Sequence, residues 1–201
     1  MSLLLLAAAY LLGSIPSGLL IARQVGVDVR RVGSGNIGAT NVARAGGPRL
    51  GVATLIADAL KGALPVLVAR GLWTGAPVEA ATGLLAFLGH VFPITLRLRG
   101  GKGVATALGA LLALCPLAMP VPVAVFLLTL AASRYVSVSS AVAAVVAPVA
   151  IGLLAYPRAA VGAAAVMGAV ILARHRDNLR RLLAGVEPRV SLHKNQAPPT
   201  R

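Results

Sequence analysis

The sequence predicts an all-α integral membrane protein, a compact bundle of seven transmembrane helices with the N-terminus outside and the C-terminus in the cytoplasm. Three observations carry this. Of 201 residues, 58% are hydrophobic and 12% are charged, too little charge to cover a soluble core of this size, so lipid must be the surrounding solvent. The apolar residues run in long blocks instead of alternating stripes. The basic residues cluster beside those blocks on alternate connections, the arrangement by which cytoplasmic loops are marked.

The blocks fall at 3–22, 51–69, 78–96, 104–133, 140–156 and 159–173. The first has no basic leader and no small-residue cleavage site, so it reads as a retained helix and not a signal peptide. The fourth exceeds the length of about 20 residues that one crossing needs. It carries Pro116, Pro120 and Pro122 near its middle, where a turn between two short helices belongs, and it divides into 104–116 and 119–133. The last two blocks are short, which suits little tilt or a locally thinned bilayer. Charge tests the resulting count of seven. Segments 23–50, 97–103, 134–139 and 174–201 then share one side and hold nearly all the basic residues, leaving Arg70 and Arg158 opposite. Six spans would carry the basic tail across the membrane, against the positive-inside bias. The abundance of Ala and Gly suits close helix contacts, and the whole chain, 1–201, reads as one domain.

Several function classes are excluded. The net charge of +14 has no aromatic interleaving and no nucleic-acid motif, so nucleic acid is not an expected partner. Three scattered histidines and a single cysteine, Cys115, inside an apolar run offer no metal-ligand spacing. Neither a metal nor another cofactor is expected, and no obligate protein partner is evident. Gly33, Gly35 and Gly38 form a G-x-G-x-x-G with Asp58 about 20 residues on, as in a dinucleotide fold. The preceding GVDVRRV is no buried strand, however, and a membrane helix follows, so that reading fails.

Four polar segments on the expected cytoplasmic side carry residues suited to phosphate. In GSGNIGATNVAR, glycines including Gly35 and Gly38 expose backbone amides, while Ser34, Asn36, Thr40 and Asn41 add neutral donors and Arg44 a planar fork. A flexible loop with helix caps is the competing reading. In LRLRGGKGVAT, Gly100, Gly101 and Gly103 flank Lys102 where a helix starts, so amides and the ammonium could converge on one anion. Arg97 and Arg99 are explained by the positive-inside bias alone. In RYVSVSSA, Ser140 is a candidate helix cap whose hydroxyl could still face a ligand, and no G-x-S-x-G elbow makes it a nucleophile. In ARHRDNLRRLLAGVEP, His175 and Asn178 are three apart on an expected helix and can reach one spot. Arg174, Arg176, Arg180 and Arg181 read as headgroup anchors. Inside the spans, Asp58 and Lys61 are expensive unless paired; they are expected to support the site, with Lys61 nearer the anion. His90 is expected to make a buried structural hydrogen bond.

Together these segments resemble the bacterial acyl-phosphate:glycerol-3-phosphate acyltransferases of the PlsY type. The resemblance runs from YLLGSIPSG (10–18) through GSGNIGATNVAR, DALKG (58–62), GHVFPITLRLRGGKGVAT (89–106) and SVSS to HRDNLRRLLAG, nearly the whole chain in one specific order. It implies transfer of a fatty acyl group from acyl phosphate to the 1-hydroxyl of glycerol 3-phosphate at the cytoplasmic face of a bacterial inner membrane. The products are lysophosphatidic acid and phosphate. It places Ser34, Arg44, Lys102, Ser140, His175 and Asn178 at the active site, with Lys102, Ser140 and His175 as the catalytic group. The chain departs from the family at Leu98 and Arg99, where an aromatic and a lysine are common, and at Asp177, where glutamate is usual. An acyl phosphate is an activated anhydride and needs no covalent enzyme intermediate, so positioning and charge stabilisation suffice. The resemblance favours the substrate's own phosphate over His175 as acceptor of the hydroxyl proton. An anion transporter is the alternative of a different class, and a lipid-phosphate phosphatase a third.

Overall fold

The computed structural model describes residues 2–190, and every regular element among them is helical: α1 (Ser2–Gly13), α2 (Ser17–Arg23), α3 (Ala39–Gly46), α4 (Pro48–Gly71), α5 (Ala76–Val91), α6 (Val104–Leu114), α7 (Pro120–Ser133), α8 (Val136–Leu153), α9 (Arg158–Arg174) and α10 (Arg176–Leu183), with 3-10 turns at Val29–Arg31 and Ile94–Leu96. Four stretches are long and apolar enough to cross a membrane: Ser2–Arg23, Pro48–Gly71, Ala76–Leu96 and Val136–Leu153. The pair α9 and α10, bent by 46°, makes a fifth if counted as one span. The helices α6 and α7 have 11 and 14 residues, or roughly 16 and 21 Å at 1.5 Å per residue, against a hydrocarbon layer of about 30 Å. The fold is thus an all-helical membrane bundle with four to five candidate spans.

Three boundaries differ from the sequence reading. The first span is broken at Ser14–Pro16, since proline has no amide to continue the ladder. The third leaves the α-helix at Phe92, just before Pro93, and continues as a 3-10 turn. The sixth starts at Val136 and not at 140. Ser140 therefore lies in the second turn of α8, where its hydroxyl donates to the Val136 carbonyl at 2.8 Å, and it caps nothing. The expected split of the fourth block does occur, with α7 opening on Pro120 at its first position.

Small residues set the packing. A Cβ at Gly13 would lie 2.0 Å from the Ala86 carbonyl oxygen, and one at Gly89 would lie 2.2 Å from that of Tyr10, so α1 and α5 touch backbone to backbone. The pair α4 and α6 does the same through Gly62 and Gly109. Such contacts drive association where lipid removes any hydrophobic gain between helices. In contrast, α7 packs chiefly on α8 alone, which leaves space between α7 and the α4–α6 pair.

The expected pair of charges forms inside this bundle. Lys61 Nζ is 2.9 Å from Asp58 Oδ1 and donates to the Ile15 carbonyl at 2.7 Å. That carbonyl is left out of the helical ladder by the break in the first span, and among the described residues it accepts, besides Lys61, only the Ser17 amide, at 3.0 Å. His90 Nδ1 lies 3.5 Å from the same Asp58 oxygen, and all three side chains are buried. Replacing Lys61 by Ala should therefore strip a partner from both Asp58 and Ile15. The expected loss is about 3–5 kcal/mol, as for other broken buried pairs, read as a lowered unfolding midpoint in detergent. An unchanged midpoint would mean that the pair does not hold the first span to α4.

Candidate active site

The starts of α4, α6 and α8 and the ends of α5 and α9 converge at one end of the bundle, around two adjoining compartments. The larger, about 640 Å³, runs between helices, and its walls on α4, α6, α7, α8 and α9 are chiefly apolar. The smaller, about 410 Å³, is polar, with Arg99, Arg174, Arg176 and Arg181 on its wall. Ser34, Asn36, Lys102 and Asn178 line both. Of the residues expected from sequence, all but Gly101 and Lys61 line one compartment or the other. Lys61 is turned to Asp58 and Ile15 instead, so the expectation that it lies nearer the anion is corrected.

The glycine-rich segments work differently from the sequence expectation. Gly100 and Gly101 donate their amides to the carbonyls of Val91 and His90, each at 3.2 Å. Gly35 donates to Val32 and Gly38 to the Asn36 side chain. These amides are committed and do not form an anion nest. What demands glycine is contact. A Cβ at Gly100 would lie 2.1 Å from the His90 carbonyl oxygen, one at Gly101 2.1 Å from His90 Nε2, and one at Gly103 2.2 Å from the Phe87 ring. Gly103 also has φ 81°, a left-handed conformation that glycine adopts without strain. The loop is thereby pressed onto the end of α5, and Arg174 Nη2 fixes it from α9 by donating to the Gly100 carbonyl at 2.9 Å.

Asn41 is likewise committed. Its amide donates to the carbonyls of Val29 and Val32 at 2.9 and 3.0 Å, and its oxygen accepts from the Ser34 amide at 3.1 Å. It folds the loop that presents Ser34 and Asn36, and it has no donor left for a substrate. The side chains on the compartment walls that can meet an anion are Ser34, Asn36, Thr40, Arg44 and Lys102 on the first two segments, with the arginines of the polar wall.

Lys102 donates to Asn178 Oδ1. Asn178 Nδ2 donates in turn to Glu187 Oε1 at 2.6 Å, which also accepts from Ser137 Oγ at 2.7 Å, while Arg181 Nε reaches Glu187 Oε2 at 2.8 Å. Burial pushes the Lys102 ammonium down to about 8; Glu187 opposes that, and Arg181, Arg174 and Arg44 add to it. Burial works to raise the Glu187 carboxyl, but the hydrogen bonds from Asn178, Ser137 and Arg181 outweigh it and hold it below the ordinary value. His175 closes α9, and its Nδ1 lies 2.8 Å from the Ile171 carbonyl. A carbonyl only accepts, so Nδ1 carries the proton and Nε2 remains a lone-pair acceptor. Burial, then the charge of Lys102, pushes this imidazole down to about 4, so it is neutral near pH 7.

Sequence reasoning missed Glu187, Ser137 and the inward roles of Arg99, Arg174 and Arg181. Glu187 is one of five acids in a chain of +14, and that scarcity was a signal: a lone acid among arginines has a partner to serve. Arg174 and Arg181 are tied to Gly100 and Glu187, so they are not the free headgroup anchors expected of them.

The sequence model of a family described as glycerol-3-phosphate acyltransferase matches residues 3–185. The chain is 50% identical over 185 residues to a glycerol-3-phosphate acyltransferase of Geotalea daltonii, covering 92% of this chain and 95% of the relative. A Geobacter sulfurreducens protein of the same name is also 50% identical, over 187 residues, covering 93% and 96%. Among solved structures, PlsY (YgiH), an integral membrane glycerol 3-phosphate acyltransferase, superposes in its glycerol 3-phosphate form with a TM-score of 0.90 at 44% identity, covering 94% of this chain and 96% of that one. Its lysophosphatidic acid form gives 0.88 at 43% identity, covering 94% and 95%.

The committed amides make a prediction that separates packing from anion binding. Gly100→Ala should lower stability by about 1–3 kcal/mol or more, as overpacking does, because the backbone carbonyl it meets cannot yield. Gly101→Ala should cost less, since the His90 ring can turn. Thermal unfolding in detergent reads both. A Gly100→Ala protein of unchanged stability that had lost only substrate affinity would show the amide to be an anion donor after all.

Proposed function

The chain belongs to the glycerol-3-phosphate acyltransferase family and is an acyltransferase of membrane phospholipid synthesis, and from that premise we propose that acyl phosphate is its donor, that the 1-hydroxyl of glycerol 3-phosphate is its acceptor, and that the two substrates meet at Lys102. The observation that carries this reading is the junction itself. An apolar compartment suited to an acyl tail and a polar, arginine-lined compartment suited to glycerol 3-phosphate share only Ser34, Asn36, Lys102 and Asn178 on their walls. A direct transfer needs such a junction, because the reacting atoms must approach to about 3–3.5 Å.

In this mechanism Lys102 and Arg44 neutralise the acyl phosphate's phosphate and the Ser34 hydroxyl donates to it, while Arg99, Arg174 and Arg176 draw in that of glycerol 3-phosphate. The acceptor hydroxyl oxygen bonds to the acyl carbonyl carbon, the bond from that carbon to the phosphate oxygen breaks, and the hydroxyl proton leaves with the departing phosphate. The low basicity of His175 supports the phosphate as the proton acceptor, with Nε2 left to accept a hydrogen bond that orients the hydroxyl. Ser140, its own proton engaged by Val136, offers a hydroxyl oxygen to the site and no nucleophile. Charge stabilisation by fixed donors in a water-poor site supplies the acceleration, and no step calls for a metal, a cofactor or a protein partner.

The site lies on the cytoplasmic side of the inner membrane in this reading, with seven spans, N-terminus out. The lopsided basic loops support that orientation. The short α6 and α7 would then cross as a pair inside a locally thinned bilayer. An anion transporter, the alternative weighed from sequence, finds no support in the comparisons.

Lys102→Ala should lower the rate by roughly 10- to 150-fold or more, the equivalent of a charge-assisted contact of about 1.5–3 kcal/mol. Lys102→Arg should recover little, because a planar fork does not replace a point charge between glycines. Equal losses at Arg97→Ala would show that diffuse charge is what matters. The ammonium at about 8 is charged below that pH, so kcat/KM should fall as pH rises through about 8. Lys102→Arg should lack that limb; an alkaline limb unmoved in Lys102→Arg would belong to another group. Activity should survive a chelator, and acyl-CoA should be a poor donor.

A further inference from the structure

The last residues lining the apolar compartment away from Lys102 are Leu111 on α6, Ala147 on α8 and Ala164 on α9, and with Met119 they form its floor. The compartment's lining runs from Val104 to Leu111 on α6, from Val136 to Ala147 on α8 and from Ile171 to Ala164 on α9. The intervals on α6 and α9 are two helical turns, about 10 Å at 1.5 Å per residue, and the one on α8 is about one turn longer. Beyond them, Leu111 and Met119 join the buried core with Leu114, Cys115 and Ile151. The turn beneath is fixed from outside: Leu117 donates its amide to Tyr156 Oη at 3.2 Å, and Arg70 reaches the Leu114 carbonyl at 3.3 Å. The turn beneath the floor is therefore braced by two side chains.

Resting on the acyl-donor assignment made above, we propose that this floor, where the small side chains of Ala147 and Ala164 meet Leu111 and Met119, determines which acyl chain lengths the protein accepts. An extended alkyl chain with C–C bonds of about 1.5 Å advances roughly 1.3 Å per carbon, so about eight carbons reach the floor from the polar end. A longer chain must turn along the floor. Alanine at positions 147 and 164 leaves the room for that turn, and the half-open space beside α7 leaves the path. A bulkier side chain at either position removes the room for long chains and spares the short ones, which never reach it.

The test compares kcat/KM for palmitoyl phosphate and hexanoyl phosphate, with glycerol 3-phosphate as acceptor, in full-length protein. Ala147→Leu and Ala164→Leu should each lower the palmitoyl-to-hexanoyl ratio at least tenfold and leave the KM for glycerol 3-phosphate within about twofold. Leu111→Ala, which deepens the floor, should raise the ratio, and it carries the test if the larger side chains prevent folding. A ratio unmoved in the variants that fold overturns the proposal, and shows that the tail leaves sideways between α4 and α7 into lipid. Equal losses with both donors overturn it as well. Should the unsubstituted protein use neither acyl phosphate, the donor assignment itself falls, and this proposal with it.

Discussion

Lys102 is held by Asn178, and Asn178 by Glu187, and this short polar relay sets the position of everything around it. The amide can serve only one way round: its oxygen accepts from the ammonium and its nitrogen donates to the carboxylate. Glu187 then gathers Ser137 at the start of α8 and Arg181 on α10. The backbone that follows is strapped to the α7–α8 turn by the Val190 amide on the Arg134 carbonyl and by Arg189 on Tyr135. The glycine-rich loop, the tail helix and α8 thus share one connected set of hydrogen bonds. A desolvated ammonium is costly unless paired, and a carboxylate one amide away offsets that cost without neutralising the lysine by direct contact.

A second constraint comes from the lipid. Reactive loops require breaks in helices, and a break frees carbonyls that must find partners wherever lipid keeps water away. Side chains take over at several of these points. Lys61 serves Ile15, Thr95 serves Ser14, the Tyr10 hydroxyl serves Phe92 and Arg174 serves Gly100. Most of these join the broken first span to α4 or to the loop after α5. The residues that close the backbone are thus also ones that hold the site's scaffold together, which accounts for the burial of Lys61 in a chain with so few charges.

Much of this was legible in the sequence, and the pattern of success has a physical cause. Apolar block length and charge asymmetry report directly on lipid exposure, so the helical bundle and its crowded polar end followed from them. The close crossings were foreshadowed by composition. The Asp58–Lys61 contact followed from helical spacing. Backbone satisfaction was not legible, because it depends on which carbonyls are freed and what lies opposite. The glycines around Lys102 therefore read as amide donors, when they are instead sites where a side chain would strike α5. Ser140 read as a cap because the start of α8 was placed four residues late. Glu187 lay beyond the last apolar block, where periodicity carries no information about what a loop folds back upon.

The account turns on direct transfer between two substrates bound together, one in each compartment. Initial rates measured with acyl phosphate and glycerol 3-phosphate varied against each other test that claim most directly. Lines that intersect in a double-reciprocal plot are the predicted result, since both substrates must occupy the junction at Lys102 before chemistry occurs. Parallel lines, the mark of a covalent acyl-enzyme formed before the acceptor binds, would contradict it.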